Sequence, residues 1–162
     1  MANVDMFLKL TGIDGESRDS AHAGEIDVQT WNWAMFNASA LHSGGGGGAG
    51  KVQVQPITLL KRADKSSPTL LKYCCKGSHI DEAVLTVRKQ GGDPLEYYII
   101  RMKHVLITSI NVAPDDAGPG LLETVNLEFK SFEVDYQPQK EDGSKDGGAI
   151  KMTWNVEGNS ES

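Results

Sequence analysis

Cysteine is almost missing from this chain of 162 residues, and the two present, Cys74 and Cys75, are adjacent. Neighbouring cysteines neither close a loop nor give the CxxC spacing of a metal or redox site. The thiols therefore read as buried or half-buried in a reducing compartment. Long apolar runs are missing too. Nothing approaches the roughly 20 apolar residues of a spanning helix, and the opening Met1-Ala2-Asn3-Val4-Asp5 has no basic segment followed by an apolar one. The expectation is synthesis in the cytoplasm, no membrane insertion, and any export by a route that reads no N-terminal signal. Positive charge is scarce: 22 acidic residues stand against 16 basic ones, for a formal charge of −6, with no basic cluster. Such a surface repels a nucleic-acid backbone.

Catalytic and cofactor signatures are also lacking. Gly45-x4-Gly50-Lys51 comes close to a phosphate-binding loop. It fails at Val52, where Ser or Thr must hold magnesium, and Val52 to Gln55 alternate like a strand instead of opening a helix. Gly45-x-Gly47-x-x-Gly50 fails as a dinucleotide fingerprint because no βαβ unit surrounds it. His22, His42, His79 and His104 have no zinc spacing, and His104 falls on the core parity of its strand, which reads as a hydrogen-bonded core residue. Gly15-Glu16-Ser17-Arg18-Asp19 lacks the closing glycine of a nucleophile elbow. No catalytic residue, cofactor or metal site is assigned.

What the chain does have is strand periodicity. Met6, Leu8 and Leu10 alternate with Asp5, Phe7 and Lys9; further strands are expected over Lys51 to Arg62, His79 to Lys89, Leu95 to Val112 and Ala149 to Val156. Thr11 to Glu25 reads as a long loop. In two places the apolar parity slips. Ile26 and Val28 give way to Trp31, Trp33 and Met35, and Val125, Leu127 and Phe129 give way to Phe132, Val134 and Tyr136. Long strands that exchange faces belong to barrels or sharply cornered sheets. Ser67 as cap, Pro68, Leu70, Leu71 and Cys74, closed by Gly77, specify one short helix. The fold class is mostly β: a small antiparallel β-barrel with bent strands and one flanking helix, forming one domain over residues 1–156 with a flexible tail over 157–162.

Between Leu95 and Val112 both faces are apolar. Tyr98, Ile100, Met102, Leu106, Ile110 and Val112 make a core face, while Val105 and Ile107 lie opposite and are expected to form a subunit interface. The five glycines Gly44, Gly45, Gly46, Gly47 and Gly48, with Gly50, lose much entropy on ordering and suit a loop fixed by contact with another subunit. Asn32 points away from Trp31 and Trp33 and, with Gln53 or Gln55, is a candidate lining for a polar lumen if the barrel sits in a ring.

Val4-Asp5-Met6-Phe7-Leu8-Lys9, Gly15-Glu16-Ser17, Glu25-Ile26-Asp27-Val28 leading to Trp31-x-Trp33, Gly44 to Val52, Ser67-Pro68, Leu85-Thr86-Val87-Arg88-Lys89, Asp135-Tyr136-x-Pro138-Gln139-Lys140 and Trp154-Asn155 occur in one order. In these blocks the chain resembles the haemolysin-coregulated protein (Hcp) family over nearly its whole length. The resemblance implies hexameric rings that stack as the inner tube of type VI secretion. It also implies expulsion by a contractile sheath behind a spike protein, and small effector proteins carried in the lumen. The protein would then be cytoplasmic before firing and secreted afterwards. Gly44 to Gly50, Gly91-Gly92-Asp93 and Asp115 to Gly120 are the expected ring-stacking loops. The competing readings are a monomeric ligand-binding β-barrel and, more remotely, a nucleotide-dependent enzyme.

Overall fold

A computed structural model describes residues 3–38 and 50–161. In chain order its elements are β1 (Val4–Leu10), β2 (Ile26–Asp27), β3 (Thr30–Asn32), β4 (Met35–Asn37), β5 (Val52–Val54), β6 (Ile57–Arg62), α1 (Ser67–Lys76), β7 (His79–Lys89), β8 (Leu95–Pro114), β9 (Leu121–Tyr136) and β10 (Ile150–Asn155). One antiparallel sheet runs β2-β1-β7-β8-β9-β6-β3, with β10 also paired to β9; β4 and β5 form a separate hairpin. The large sheet curls into a half-barrel rather than a closed one. The reason lies in β9: its first half pairs with β6 from Leu122 to Leu127 and its second half with β10 from Ser131 to Tyr136. Its two ends therefore belong to different arcs.

The arcs meet at a corner that crosses three strands. Ile80, Val105 and Phe129 are cross-strand partners in one inward row, and Ala83, Met102 and Phe132 in the next. Two residues intervene between these rows on each strand instead of one, so the inward parity changes there in all three. His104 absorbs the change with φ +53°, a left-handed conformation unfavourable for a residue with a side chain. The slip expected between Phe129 and Phe132, which falls at Lys130 and Ser131, is this corner.

The corner also overturns one expectation. Val105 and Ile107 are only 0% and 2% exposed, packed in their own protomer's core beside Phe129 and Leu127, and so present no interface to a neighbour. Past His104, Val105 and Ile107 turn inward, and a second register shift between Ile107 and Ser109 returns the inward side to Ile110. Reading the strand as one uninterrupted face put Val105 and Ile107 outside and His104 inside; His104 is in fact exposed.

The segment Ile26 to Phe36 also differs from its expected form. It is not one bulged strand but β2, β3 and β4, which pair separately with β1, β6 and β5. The long loop is drawn tight beneath them. A Cβ on Gly15 would lie 2.5 Å from the Glu25 carbonyl oxygen, so only glycine allows that approach. His22 from this loop stacks on Phe7 with ring centroids 4.3 Å apart, which buries Phe7 on what the alternation marked as the wetter face of β1.

The helix begins one residue earlier than its sequence cap signal: Ser66, not Ser67, holds the cap position, and Gly77, at φ +63°, closes the end. It packs against β8 through buried Leu70. The tail expected to be flexible turns back on β10, the Asn155 amide donating to the Ser160 carbonyl at 2.8 Å and the Ser160 amide to the Asn155 carbonyl at 3.2 Å.

Candidate functional surfaces

Three surfaces stand out against the core. The first is an open flank. From β1 to β10 the inward rows run Leu8, Leu85, Ile100, Val134, Met152 and Met6, Val87, Tyr98, Tyr136, Ile150. The rows are buried at Leu85, Val87 and Ile100, half-buried at Tyr98, and uncovered toward β10: Tyr136 at the end of β9 is 44% exposed, Met152 45% and Ile150 65%. Alternation puts these side chains on the core face, yet nothing among the described residues closes over them. Contiguous apolar side chains left in water on a core face mark an interaction surface. Ile150 and Met152 had no special signal in the sequence, because a strand alternating with Lys151 and Thr153 looks ordinary.

The second is an outward ladder of small uncharged polar groups. Asn32, Thr58, Asn126 and Ser109 are successive partners across β3, β6, β9 and β8. Thr58 Oγ1 donates to Asn126 Oδ1 at 2.5 Å, and Asn126 Nδ2 donates to Ser109 Oγ at 2.5 Å. The Asn32 side chain thus heads a polar, uncharged wall. Gln53 and Gln55 do not join it, since Gln53 pairs with Phe36 on the separate hairpin and the Gln55 amide donates to the Ala34 carbonyl.

The third is the pair of end turns. Gly91, Gly92 and Asp93 are exposed between β7 and β8, at the opposite end of β8 from the 115–120 turn. Asp115 there pairs with Arg62 at 2.8 Å. The Ala117 backbone amide, followed in effect by Arg62, holds its carboxyl below the usual range. Gly50 is different in kind: it sits in the neck of the hairpin, where a Cβ would meet the Ala38 carbonyl oxygen at 2.1 Å. Gly44, Gly45, Gly46, Gly47 and Gly48 lie outside the described residues.

Two polar clusters, unread in the sequence, fix the frame around these surfaces. At the core's upper end Lys61, 0% exposed, reaches Glu123 Oε1 at 2.6 Å and Asp64 Oδ1 at 3.1 Å, while Ser67 Oγ donates to Glu123 at 2.7 Å. This pins the start of α1 to β6 and β9. At the other end Arg88 joins Asp19 of the long loop at 2.5 Å and Asp5 of β1 at 2.9 Å. The hydrogen bond from Arg88 lowers the Asp19 carboxyl to about 2. His22 contacts Glu25 at 2.7 Å through Nδ1 and Glu96 at 2.6 Å through Nε2. Among the described residues no group of three or more His, Cys, Asp or Glu is placed to hold a metal, and no helix is long and apolar enough to cross a membrane.

Residues 7–136 match the family described as "Type VI secretion system effector, Hcp". The chain belongs to the Hcp family. Protein hcp1 of Pseudomonas aeruginosa is 48% identical over 157 residues, covering 96% of this chain and 97% of that protein. The crystal structure of Hcp1 from Salmonella typhimurium superposes with a TM-score of 0.79 at 33% identity over 99% of both chains. A structure titled as a type six secretion system protein reaches a TM-score of 0.91 at 27% identity, over 99% of this chain and 100% of that one. Hcp proteins are a type VI secreted, structural family, and the curled β fold described above is theirs.

Proposed function

We propose that this Hcp chain is the subunit of a type VI secretion inner tube: six copies close into a ring, rings stack, and the tube is expelled by sheath contraction behind a spike with small effectors in its lumen. The observation that carries the reading is the open flank on β9 and β10. Tyr136, Ile150 and Met152 continue core rows that stop without a cover, and a second copy of the chain supplies that cover without any change of fold. The subunit contact is therefore assigned here, in place of Val105 and Ile107.

The ladder headed by Asn32 suits a lumen wall, because small uncharged polar groups stay hydrated and hold cargo weakly. The turn of Gly91, Gly92 and Asp93 and the turn at 115–120 sit at opposite ends of β8 and suit contacts between rings. The protein is synthesised in the cytoplasm and leaves it through the secretion machine.

Light scattering on the purified protein, with electron microscopy of the same sample, tests this. A mass six times that of the subunit with annular particles is expected. A monomer across a wide concentration range would sink the reading and favour a monomeric ligand-binding barrel.

A further inference from the structure

Four methionines lie among the described residues, and their surroundings differ. Met102 is fully buried at the corner, and Met6 is half-buried in the row of Val87 and Tyr98. Met35, 43% exposed, stands on the separate β4 and β5 hairpin, outside the flank's rows. Met152, 45% exposed, ends the row of Leu8, Leu85, Ile100 and Val134. Of the four, it alone is both open to water in the free subunit and set within the surface assigned above to a second copy.

Methionine is the one side chain in that row whose polarity chemistry can change. A thioether packs as its aliphatic neighbours do, whereas its sulfoxide is polar and carries a hydrogen-bond acceptor. The residues that precede Met152 in the row are Leu, Leu, Ile and Val, none with a side-chain donor. A cover fitted to such a row leaves the new oxygen buried and unpaired, which is costly. In the free subunit the same oxygen faces water. The cost therefore falls on assembly and not on the fold.

We propose that Met152 is a reversible oxidation site whose modification by a hydroperoxide blocks subunit assembly. The sulfur lone pair attacks the terminal peroxide oxygen, the O–O bond breaks, and the proton passes to the departing oxygen. The thioether becomes a sulfoxide and the hydroperoxide an alcohol, or water where the oxidant is hydrogen peroxide. Sulfur loses two electrons and the peroxide gains them. Two thiols reverse the step through a methionine sulfoxide reductase, leaving a disulfide and water. A closed ring covers Met152, so the block acts on free subunits. This role rests on the flank being the subunit contact proposed above.

The test applies hydrogen peroxide to the full-length protein and to Ile150→Asp, in which the flank stays free. Peptide mass spectrometry follows the gain of oxygen at Met152, with Met35 as the exposed reference and Met102 as the buried one. Met152 is expected to react within about threefold of the Met35 rate in Ile150→Asp, and about tenfold more slowly than Met35 in the assembled protein. In light scattering, Met152→Gln, a polar stand-in for the sulfoxide, should show an assembled fraction about tenfold below that of Met152→Leu, which is apolar and similar in volume. The urea midpoints of the two variants should agree.

Equal oxidation of Met152 in assembled and free protein overturns the proposal, as does no oxidation in either. So does a Met152→Gln variant that assembles like Met152→Leu, or one whose urea midpoint falls well below it. Lost assembly in Ile150→Asp with full assembly in Met152→Gln keeps the flank as the contact and removes only the oxidation site. A wild-type protein that never assembles, or Ile150→Asp that assembles fully, fails the flank reading itself.

Discussion

The two arcs that meet at His104 are built from the same three strands but are closed differently. The upper arc is sealed within the protomer: Ile57, Leu59, Val105, Ile107, Val125 and Leu127 fill it, and the Lys61 and Glu123 pair under α1 forms its lid. The lower arc is sealed only on its β1 side. Toward β10 its rows end in water at Tyr136, Met152 and Ile150. Among the described residues the one helix lies on the upper arc, and none covers the lower.

Substitutions that act on one arc and spare the other test this contrast. The largest effect belongs to the lid. Lys61→Met leaves Glu123 and Asp64 buried without their cation and should cost about 3–5 kcal/mol of folding stability, read from urea denaturation. Lys61→Met with Glu123→Leu should recover much of the loss; no recovery would mean the pair contributes more than mutual compensation.

Ile107→Ala should cost about 2–5 kcal/mol as a core cavity. Ile150→Asp should leave the protomer within about 0.5 kcal/mol while lowering the assembled mass in light scattering. Equal losses of folding stability at Ile107 and Ile150 would erase the distinction between the arcs.

The lower arc has its own dependence on pH. Asp19 titrates at about 2 in the folded protein against 3.8 when unperturbed, so its contribution to stability is fully present above pH 4 and is lost as pH falls toward 2. The urea midpoint should drop across that window, and Arg88→Gln should flatten the drop. The smallest effect is at the corner. His104→Gly removes left-handed strain and should raise stability by at most about 1 kcal/mol, whereas His104→Val should lower it by about as much or more.

Much of this was legible in the sequence, for identifiable reasons. β7, β9 and α1 stand where period 2 and the Pro68 and Gly77 signals put them, because those signals are local. The parity slip in β9 was visible because Phe129 and Phe132 are both aromatic and cannot both face water cheaply. The matching slip in β8 was missed: Lys103 and His104 stand together where the inward side changes, as Lys130 and Ser131 do in β9, but apolar residues on both parities of β8 masked that signal.

The split of Ile26 to Phe36 was hidden for a different reason, since pairing partners far along the chain decide it. The open flank was hidden for the same reason. Ile150 and Met152 alternate as in any half-covered strand, and only their place at the end of rows begun by Leu8 and Met6 shows that nothing lies beyond them.

β8 runs from Leu95 to Pro114, with β9 antiparallel beside it from Tyr98 to Pro114. At about 3.3 Å per residue the pair is a bent strut joining the two ends of the subunit. Its ladder bonds lie across the strand direction, so a push applied at one end turn is shared in shear by the whole row of bonds rather than peeling them one at a time. Such a pair is stiff to a load applied along its strands.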